Sequence, residues 1–128
     1  MIYLATPYSH PTSYIRTLRY HAVTRAAVYL MKQGYYVFSP ITQGHPMQMN
    51  GLVEWGYEEW LEYDFEFFNN CSQLNVLMLP GWDQSPGVDM ELAWADKRGI
   101  GVEMLKPEEV GVDEWIVKGL KEYGVVEE

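Results

Sequence analysis

The alternation of short apolar runs with helix-like segments constrains the fold of this chain more than any other feature. Runs of large apolar residues, several ended by proline, predict four buried strands, at residues 2–6, 35–40, 74–80 and 99–105. Between them, apolar residues recur at helical spacing, which predicts helices from about Thr12 to Gln33, from about Glu54 to Asn69, and from Ser85 onward. We therefore predict one domain over residues 1–128, with a three-layer α/β/α, Rossmann- or flavodoxin-like fold and a parallel sheet of four to five strands.

Three connecting segments are candidates for a ligand site. Parallel sheets of this class bind ligands at the carboxyl ends of their strands. The segments that follow the first three strands should therefore meet around one site, namely residues 6–10, 41–46 and 81–87. Residues 41–53 predict a long loop, and long loops in compact domains often carry function. The end of the chain predicts a helix capped by Asp113 and stopped at Gly124.

The composition disfavours several classes of partner and location. A formal net charge of −9 disfavours DNA, RNA or an anionic membrane, because phosphate backbones are bound by patches of Lys and Arg. No apolar run approaches the length of a membrane span, and no basic segment leads into an apolar one as in a signal peptide. The single cysteine, Cys71, cannot form an internal disulfide. We therefore expect a cytoplasmic protein.

An acidic residue interrupts an otherwise apolar helical stripe in the segment SPGVDMELAWADKRG. Counted along this helix, one face carries Val88, Glu91, Leu92 and Ala95. A carboxylate buried without partners is strongly destabilised or becomes protonated, so Glu91 is a candidate functional residue. The alternative is a place at the edge of the stripe, where an acid close to a helix N-terminus complements the helix dipole.

A second acid interrupts the stripe of the preceding helix. In WLEYDFEFF, one face carries Leu61, Asp64, Phe65 and Phe68. Asp64 should therefore point toward buried neighbours, although it could simply accept a hydrogen bond from a nearby tyrosine or backbone amide. Two ionisable groups of this kind in one small domain predict a shared polar pocket.

The loop before Glu91 has the composition of an anion-binding turn. Ser85 and Gly87 precede the helix; glycine permits close approach of a ligand to the backbone, and helix N-terminal N–H groups accept anions. A capping serine followed by an ordinary loop glycine would have the same pattern. The functional interpretation of Ser85 and Gly87 is favoured because Glu91 follows them on the apolar face of the helix.

These features together resemble the nucleoside 2-deoxyribosyltransferase-like superfamily. The resemblance rests on IYLATPY at the start, Asp64 before the third strand, and SPGVDMELAWA after it, and covers about residues 1–105. It implies that Glu91 is the nucleophile and that Asp64 positions the sugar and assists the leaving base. It also implies that Tyr3, in the first strand, orients the nucleophile.

One motif position bears on the substrate. This position lies six residues before the nucleophile and is occupied by Ser85 here. In the families that the chain resembles, deoxyribosyltransferases have an aspartate there, whereas nucleoside 5′-monophosphate N-glycosidases have a serine that binds the phosphate. The arginine-rich loop that those glycosidases carry after the first strand is PYSHP here, so Ser9, His10 or Arg16 would have to replace it. We expect Gln43 and His45 to contact the base and Tyr8 to stack on it or pack at the rim.

Other candidates have simpler interpretations. Three arginines of the first long helix are expected on a solvated helix face, namely Arg16, Arg19 and Arg25. The region from Trp55 to Trp60 is expected to be core or interface. The ten Tyr, five Trp and four Phe exceed what a chain of this length can bury, which together with the resemblance predicts a homodimer or larger homo-oligomer.

The resulting hypothesis is an N-glycosidase that cleaves the base–sugar bond of (deoxy)nucleoside 5′-monophosphates. Breaking an N-glycosidic bond passes through an oxocarbenium-like state, which the ionised Glu91 near a helix N-terminus would stabilise or capture. A deoxyribosyltransferase that passes the sugar to another base is the first alternative, and a non-catalytic nucleotide-binding module is the second. The ligand is a nucleoside or nucleotide in each case. No metal is expected, because the sequence has no Cys/His cluster at metal-ligand spacing. No organic cofactor is expected either, because no G-x-G-x-x-G motif follows the first strand.

Overall fold

The structure is a computed structural model that describes residues 1–123, so the helix stop expected at Gly124 lies outside the described residues. Four strands alternate with helices: β1 Ile2–Ala5, β2 Val37–Phe38, β3 Gln73–Leu77 and β4 Gly101–Leu105. The helices are α1 Ser13–Lys32, α2 Pro40–Met49, α3 Tyr57–Phe68, α4 Pro86–Arg98 and α5 Glu114–Tyr123. Single 3-10 turns lie at Trp82–Gln84 and Pro107–Glu109.

All four strands form one parallel sheet in the order β2-β1-β3-β4. The chain passes outward from β1 to β2, then crosses back over β1 to reach β3 on its other side. The connections after β1 and β3 therefore diverge, and their ends are adjacent because Ala5 pairs with Val76. Such a switch in strand order opens a crevice at the carboxyl edge of the sheet.

Helices cover both faces of the sheet, so the expected three-layer α/β/α architecture is confirmed. On one face Leu4 packs in a cluster with Ile15 of α1 and Ile116 of α5. On the other face Tyr3 packs with Phe68 of α3 and Val88 of α4. Consecutive β1 side chains enter opposite clusters because side chains alternate along a strand. No helix within residues 1–123 has the length and apolarity to cross a bilayer.

The loop predicted at residues 41–53 was wrong, because most of this segment forms α2. Ser39 caps the helix by accepting a hydrogen bond from the N–H of Thr42 at 3.2 Å, and Pro40 occupies the first helical position, where its fixed φ suits a helix. The strand predicted at 35–40 is correspondingly shortened to Val37–Phe38. Gly44 and Pro46 have low helix propensity, yet packing against α1 and β1 stabilises the helix.

Candidate active site

A cavity of about 940 Å³ lies at the carboxyl edge of the sheet. The three segments expected to meet there do so: residues 6–10, residues 41, 44 and 45, and residues 81 and 84–87 all line it. Helices α3 and α4 supply further lining residues, including Asp64 and Glu91. The volume lies within the range of small-molecule sites.

Glu91 occupies the buried position that its spacing predicts. It is 8% exposed and lies between Val88 and Ala95, which are both fully buried. Burial raises its pKa to about 8; the Tyr3 hydroxyl lowers the pKa and the Asp64 carboxyl raises it by smaller amounts. A pKa of about 8 favours the protonated carboxyl near neutral pH, whereas an ionised Glu91 was expected from the sequence. Glu91 lies in the second turn of α4, where the helix dipole has already weakened, so desolvation dominates.

Asp64 lies across the cavity on α3 and is half-buried. Burial raises its pKa to about 7. Its Oδ1 atom is inaccessible to water and has no hydrogen-bond partner within residues 1–123. The stripe around it is less buried than predicted: Phe68 is the only buried residue of α3, and Phe65 is 42% exposed, with its ring edge to face against Trp94.

Tyr3 lies in β1 beneath both acids and is fully buried. Burial, followed by the charges of Glu91 and Asp64, raises the pKa of its hydroxyl well above the usual value. The hydroxyl is close enough to Glu91 to lower the pKa of that carboxyl. It does not reach hydrogen-bonding geometry with it, and Tyr3 Oη has no hydrogen-bond partner in the described part of the chain. Tyr3, Asp64 and Glu91, the three residues expected to carry the chemistry, therefore lie close together. Tyr3 Oη and Asp64 Oδ1 each have no hydrogen-bond partner within residues 1–123.

Ser85 and Gly87 lie at the N-terminus of α4 and line the cavity. Ser85 caps the helix, since its Oγ accepts a hydrogen bond from the N–H of Val88 at 3.3 Å. A Cβ added at Gly87 would meet only this Oγ, at 3.8 Å. Within residues 1–123 no atom therefore requires glycine at position 87, which lines the cavity.

Arg19 is a cavity residue that the sequence interpretation placed on a solvated surface. It is 5% exposed, lines the cavity, and donates a hydrogen bond from Nη1 to the Ser9 carbonyl at 2.9 Å. Gly81, whose φ of +91° suits glycine, brings the loop after β3 over it; a Cβ there would lie 3.5 Å from Arg19 Nη2. Desolvation lowers the pKa of the guanidinium.

The same rule that singled out Glu91 would have found Arg19. It stands four residues after Ile15 and three before Ala22, on the buried stripe of α1.

The other two arginines of α1 have different surroundings. Arg25 does lie on the surface, where it pairs with Asp113 at 2.7 Å. Arg16 is half-buried and donates to the His10 carbonyl, so it holds the first loop in place. Ser9 and His10 line the cavity, as does Tyr8.

The two residues expected to contact the base separate in the structure. His45 is 8% exposed and lines the cavity, with its Nδ1 hydrogen-bonded to the Tyr8 hydroxyl at 2.7 Å. Gln43 points elsewhere: it donates to the Tyr63 hydroxyl and does not line the cavity. The prediction for Gln43 was wrong because the segment is helical, and residues two apart in a helix face different directions.

Aromatic residues form much of the cavity wall. The lining includes Trp55, Tyr57, Trp60 and Trp94, so the assignment of Trp55 and Trp60 to core or interface was incomplete. The Trp55 and Trp60 rings meet edge to face with centroids 4.8 Å apart. The Trp60 Nε1 and Thr6 Oγ1 atoms are buried with no hydrogen-bond partner among residues 1–123.

Residues 1–106 match the model of a family described as a domain of unknown function, DUF1937. The chain belongs to this family. The search of curated proteins gives no match for the chain. The family match ends just after β4, so it includes the sheet, α1 to α4 and every cavity residue discussed above.

The DUF1937 domain therefore has an aromatic cavity that contains two acids and one guanidinium. A heteroaromatic ring could stack on its apolar wall, and the buried Tyr3 hydroxyl and Asp64 Oδ1, which have no hydrogen-bond partner within residues 1–123, could bond a polar ligand. The Asp64 charge raises the pKa of Glu91, and burial raises the pKa values of both carboxyls into the neutral range, which suits proton transfer near neutral pH.

Proposed function

We propose that this protein is an N-glycosidase that cleaves the base–sugar bond of (deoxy)nucleoside 5′-monophosphates, with Glu91 as nucleophile. The single observation that supports this most is the buried Glu91 carboxyl, next to Tyr3 and opposite Asp64, in an aromatic cavity at the carboxyl edge of the sheet. A carboxylate in such a position can approach the anomeric carbon of a sugar whose base stacks on the aromatic wall.

The proposed chemistry follows from the roles of two carboxyls. Glu91 Oε attacks C1′ as the C1′–N bond breaks, and the bonding electrons leave with the base. The Asp64 carboxyl gives its proton to the departing base. Water then attacks C1′ of the glycosyl–Glu91 ester, its proton returns to Asp64, and Glu91 leaves as a carboxylate. The Tyr3 hydroxyl, which is buried and has no partner in the described chain, is positioned to bond the Glu91 carboxyl and fix its rotamer.

The two carboxyls must share one proton for this chemistry to occur. Burial raises the pKa of Asp64 to about 7 and that of Glu91 to about 8, and because the groups interact they titrate as a pair. With two protons the nucleophile is blocked, and with none the acid is missing. Binding of a sugar that develops positive charge would favour the form in which Glu91 is ionised and Asp64 keeps the proton.

We assign the 5′-phosphate to the part of the cavity lined by Arg19, Ser85 and Gly87. Arg19 is buried there, and Ser85 and Gly87 present the N-terminus of α4. A guanidinium and helix N-terminal N–H groups both bind phosphate well. Arg19 would thus supply, from α1, the cation that the PYSHP loop lacks.

We also propose that the protein acts in the cytoplasm, where nucleotides are made and its free Cys71 thiol would stay reduced.

The test is chromatography of free base released from a panel of nucleosides and their 5′-monophosphates. The wild type should release base from at least one monophosphate, and Glu91→Gln should lower the rate by at least about a hundredfold, since the amide cannot act as nucleophile. Asp89→Asn, which removes an exposed acid of the same helix, is the matched control and should retain activity.

Each result of this panel has a distinct meaning. Base release from no substrate would contradict the enzymatic proposal and leave a nucleotide-binding module. Base exchange that requires an added acceptor base would identify a deoxyribosyltransferase instead. Equal rates on phosphorylated and unphosphorylated substrates would contradict the assignment of Arg19 and Ser85 to the phosphate.

A further inference from the structure

A side-chain cluster at the wall of the cavity is not used by the proposed chemistry. It consists of Tyr8, from the loop after β1, His45 from α2 and Tyr20 from α1. The Tyr8 hydroxyl bonds His45 Nδ1 at 2.7 Å, and the two rings are nearly perpendicular. On its other side the imidazole stacks on Tyr20, with centroids 4.3 Å apart and planes 21° apart. Three elements therefore fix both the position and the plane of one ring that lines the cavity.

The surroundings of this ring determine where its protons lie. Burial, with smaller effects of His21 and Arg16, lowers the pKa of His45, so the imidazole is neutral at pH 7. Burial raises the pKa of Tyr8 more than the adjacent Arg16 lowers it, so the phenol keeps its proton. A phenol donates a hydrogen bond more strongly than it accepts one, and the positive charge of Arg16 near its oxygen strengthens that preference.

The hydrogen-bond direction has one consequence for the cavity. If Tyr8 donates to Nδ1, the single proton of the neutral imidazole is on Nε2. Tyr8 then occupies Nδ1 and Tyr20 covers one face of the ring, so Nε2–H is the remaining polar group through which His45 can contact a ligand in the cavity that it lines. Such an N–H group can recognise an acceptor that lies in the plane of the imidazole.

We propose that Tyr8, Tyr20 and His45 form a base-reading unit that holds His45 Nε2–H as an uncharged hydrogen-bond donor to an acceptor atom of the ligand's base. The acceptor is a ring nitrogen or a carbonyl oxygen of a neutral heteroaromatic ring. His45 is thus a specificity-determining residue, and Tyr8 and Tyr20 are positioning residues that act through it. The inference rests on the proposed function in assuming that the ligand carries a nucleobase.

Binding measurements without turnover test this proposal. Calorimetry in a Glu91→Gln background would use AMP, GMP, CMP and UMP, with ribose 5-phosphate as a ligand that keeps the sugar and phosphate but lacks a base. For the monophosphate that binds most tightly, His45→Ala should weaken binding about threefold to tenfold, the usual effect of one neutral hydrogen bond. Tyr8→Phe should weaken it in the same direction, and binding of ribose 5-phosphate should be unchanged in both variants.

Gln43→Ala is the matched control, because Gln43 lies on the same helix but outside the cavity lining and bonds Tyr63; it should leave the preference for the monophosphate unchanged. Retained binding of ribose 5-phosphate shows that each variant is folded. An equal loss for ribose 5-phosphate, or no loss with any of the four monophosphates, would overturn the proposal. So would imidazole 15N shifts of the wild-type protein at pH 7 that place the His45 proton on Nδ1.

These results are independent of whether the protein is an enzyme. A protein that releases no base yet shows the His45-dependent preference would contradict the glycosidase and support the base-reading unit. Conversely, Glu91-dependent base release with an unchanged KM in His45→Ala would support the glycosidase and contradict the base-reading unit.

Discussion

Ionisable side chains on apolar stripes locate the candidate site at the level of single residues. Glu91 stands on the buried face of α4 and Arg19 on that of α1. Burying either group is unfavourable unless a polar partner or a ligand compensates, so such positions mark functional sites more often than ordinary surface charges do. Both residues line the same cavity, although they come from helices far apart in sequence.

The raised pKa of Glu91 predicts a specific dependence of stability on pH. Burial raises this pKa from 4.5 to about 8, so between these pH values the folded protein binds a proton that the unfolded chain has lost. The unfolding free energy therefore falls as pH rises from about 4.5 to 8. The Glu91→Gln variant lacks this titrating group. The unfolding free energy of the variant minus that of the wild type should therefore increase by on the order of 3 kcal/mol from pH 5 to pH 8.5.

Thermal unfolding of both proteins at the two pH values measures this difference. Glu62→Gln, which alters a solvent-exposed residue of α3, is the control and should follow the wild type at both pH values. A constant difference between Glu91→Gln and wild type from pH 5 to pH 8.5 would contradict a protonated, buried Glu91.

Arg19 predicts the preference for a 5′-phosphate. Hydrogen bonds to charged groups contribute about 1.5–3 kcal/mol, so Arg19→Gln should weaken binding of a nucleoside 5′-monophosphate by roughly 10- to 100-fold. Binding of the matching nucleoside should change little, and the ratio of the two affinities corrects for any loss of folded protein. Arg25→Gln, at the exposed ion pair with Asp113, should leave the ratio unchanged. An equal loss for nucleoside and monophosphate would show that Arg19 only holds the Ser9 carbonyl.

At the level of elements, α2 shows how packing can override helix propensity. A Cβ at Gly44 would lie 3.3 Å from the Trp60 ring, which explains why a small residue stands there. Pro46 lies inside the helix, where its ring removes one backbone donor. The helix forms because its N-terminus is well capped and its buried side packs against α1 and β1. This geometry turns His45 into the cavity and Gln43 away from it.

The cap of α2 predicts a measurable loss of stability. Ser39→Ala removes the hydrogen bond from the N–H of Thr42 to Ser39 Oγ and should lower the unfolding free energy by about 1 kcal/mol. Thr12→Ala is the control, because Thr12 occupies the same position in α1 without a side-chain hydrogen bond, and its effect should be smaller. Denaturant unfolding of both variants measures the difference. Equal effects would show that α2 depends on packing alone.

At the level of the whole molecule, the strand order creates the site. β1 and β3 are neighbours whose connections leave in opposite directions, so the loops that follow them separate and leave a crevice. The α3 helix covers this crevice with Asp64 and aromatic residues, and α4 presents Glu91 from the other side. Because Phe68 is the only buried residue of α3, few core contacts hold this helix against the site.

The exposed aromatic and apolar side chains support the proposal of a homo-oligomer. Tyr36, Met49 and Val53 are all highly exposed, and Val102 and Met104 lie along the edge strand β4. Such surfaces are typical of subunit interfaces. Sedimentation velocity at micromolar concentration should therefore give at least twice the mass of one chain. A single species with the mass of one chain would contradict this proposal, without affecting the assignment of Glu91.

The sequence alone determined the strand and helix alternation, the parallel sheet, and the burial of Glu91, because these depend on local periodicity that each segment carries by itself. The helical state of α2, the cavity position of Arg19 and the bond between Tyr8 and His45 were decided by tertiary structure. So was the raised pKa of Glu91, since desolvation depends on every segment packed around it. Sequence spacing does not define the distance between side chains of separate segments, because that distance depends on how the sheet brings the segments together.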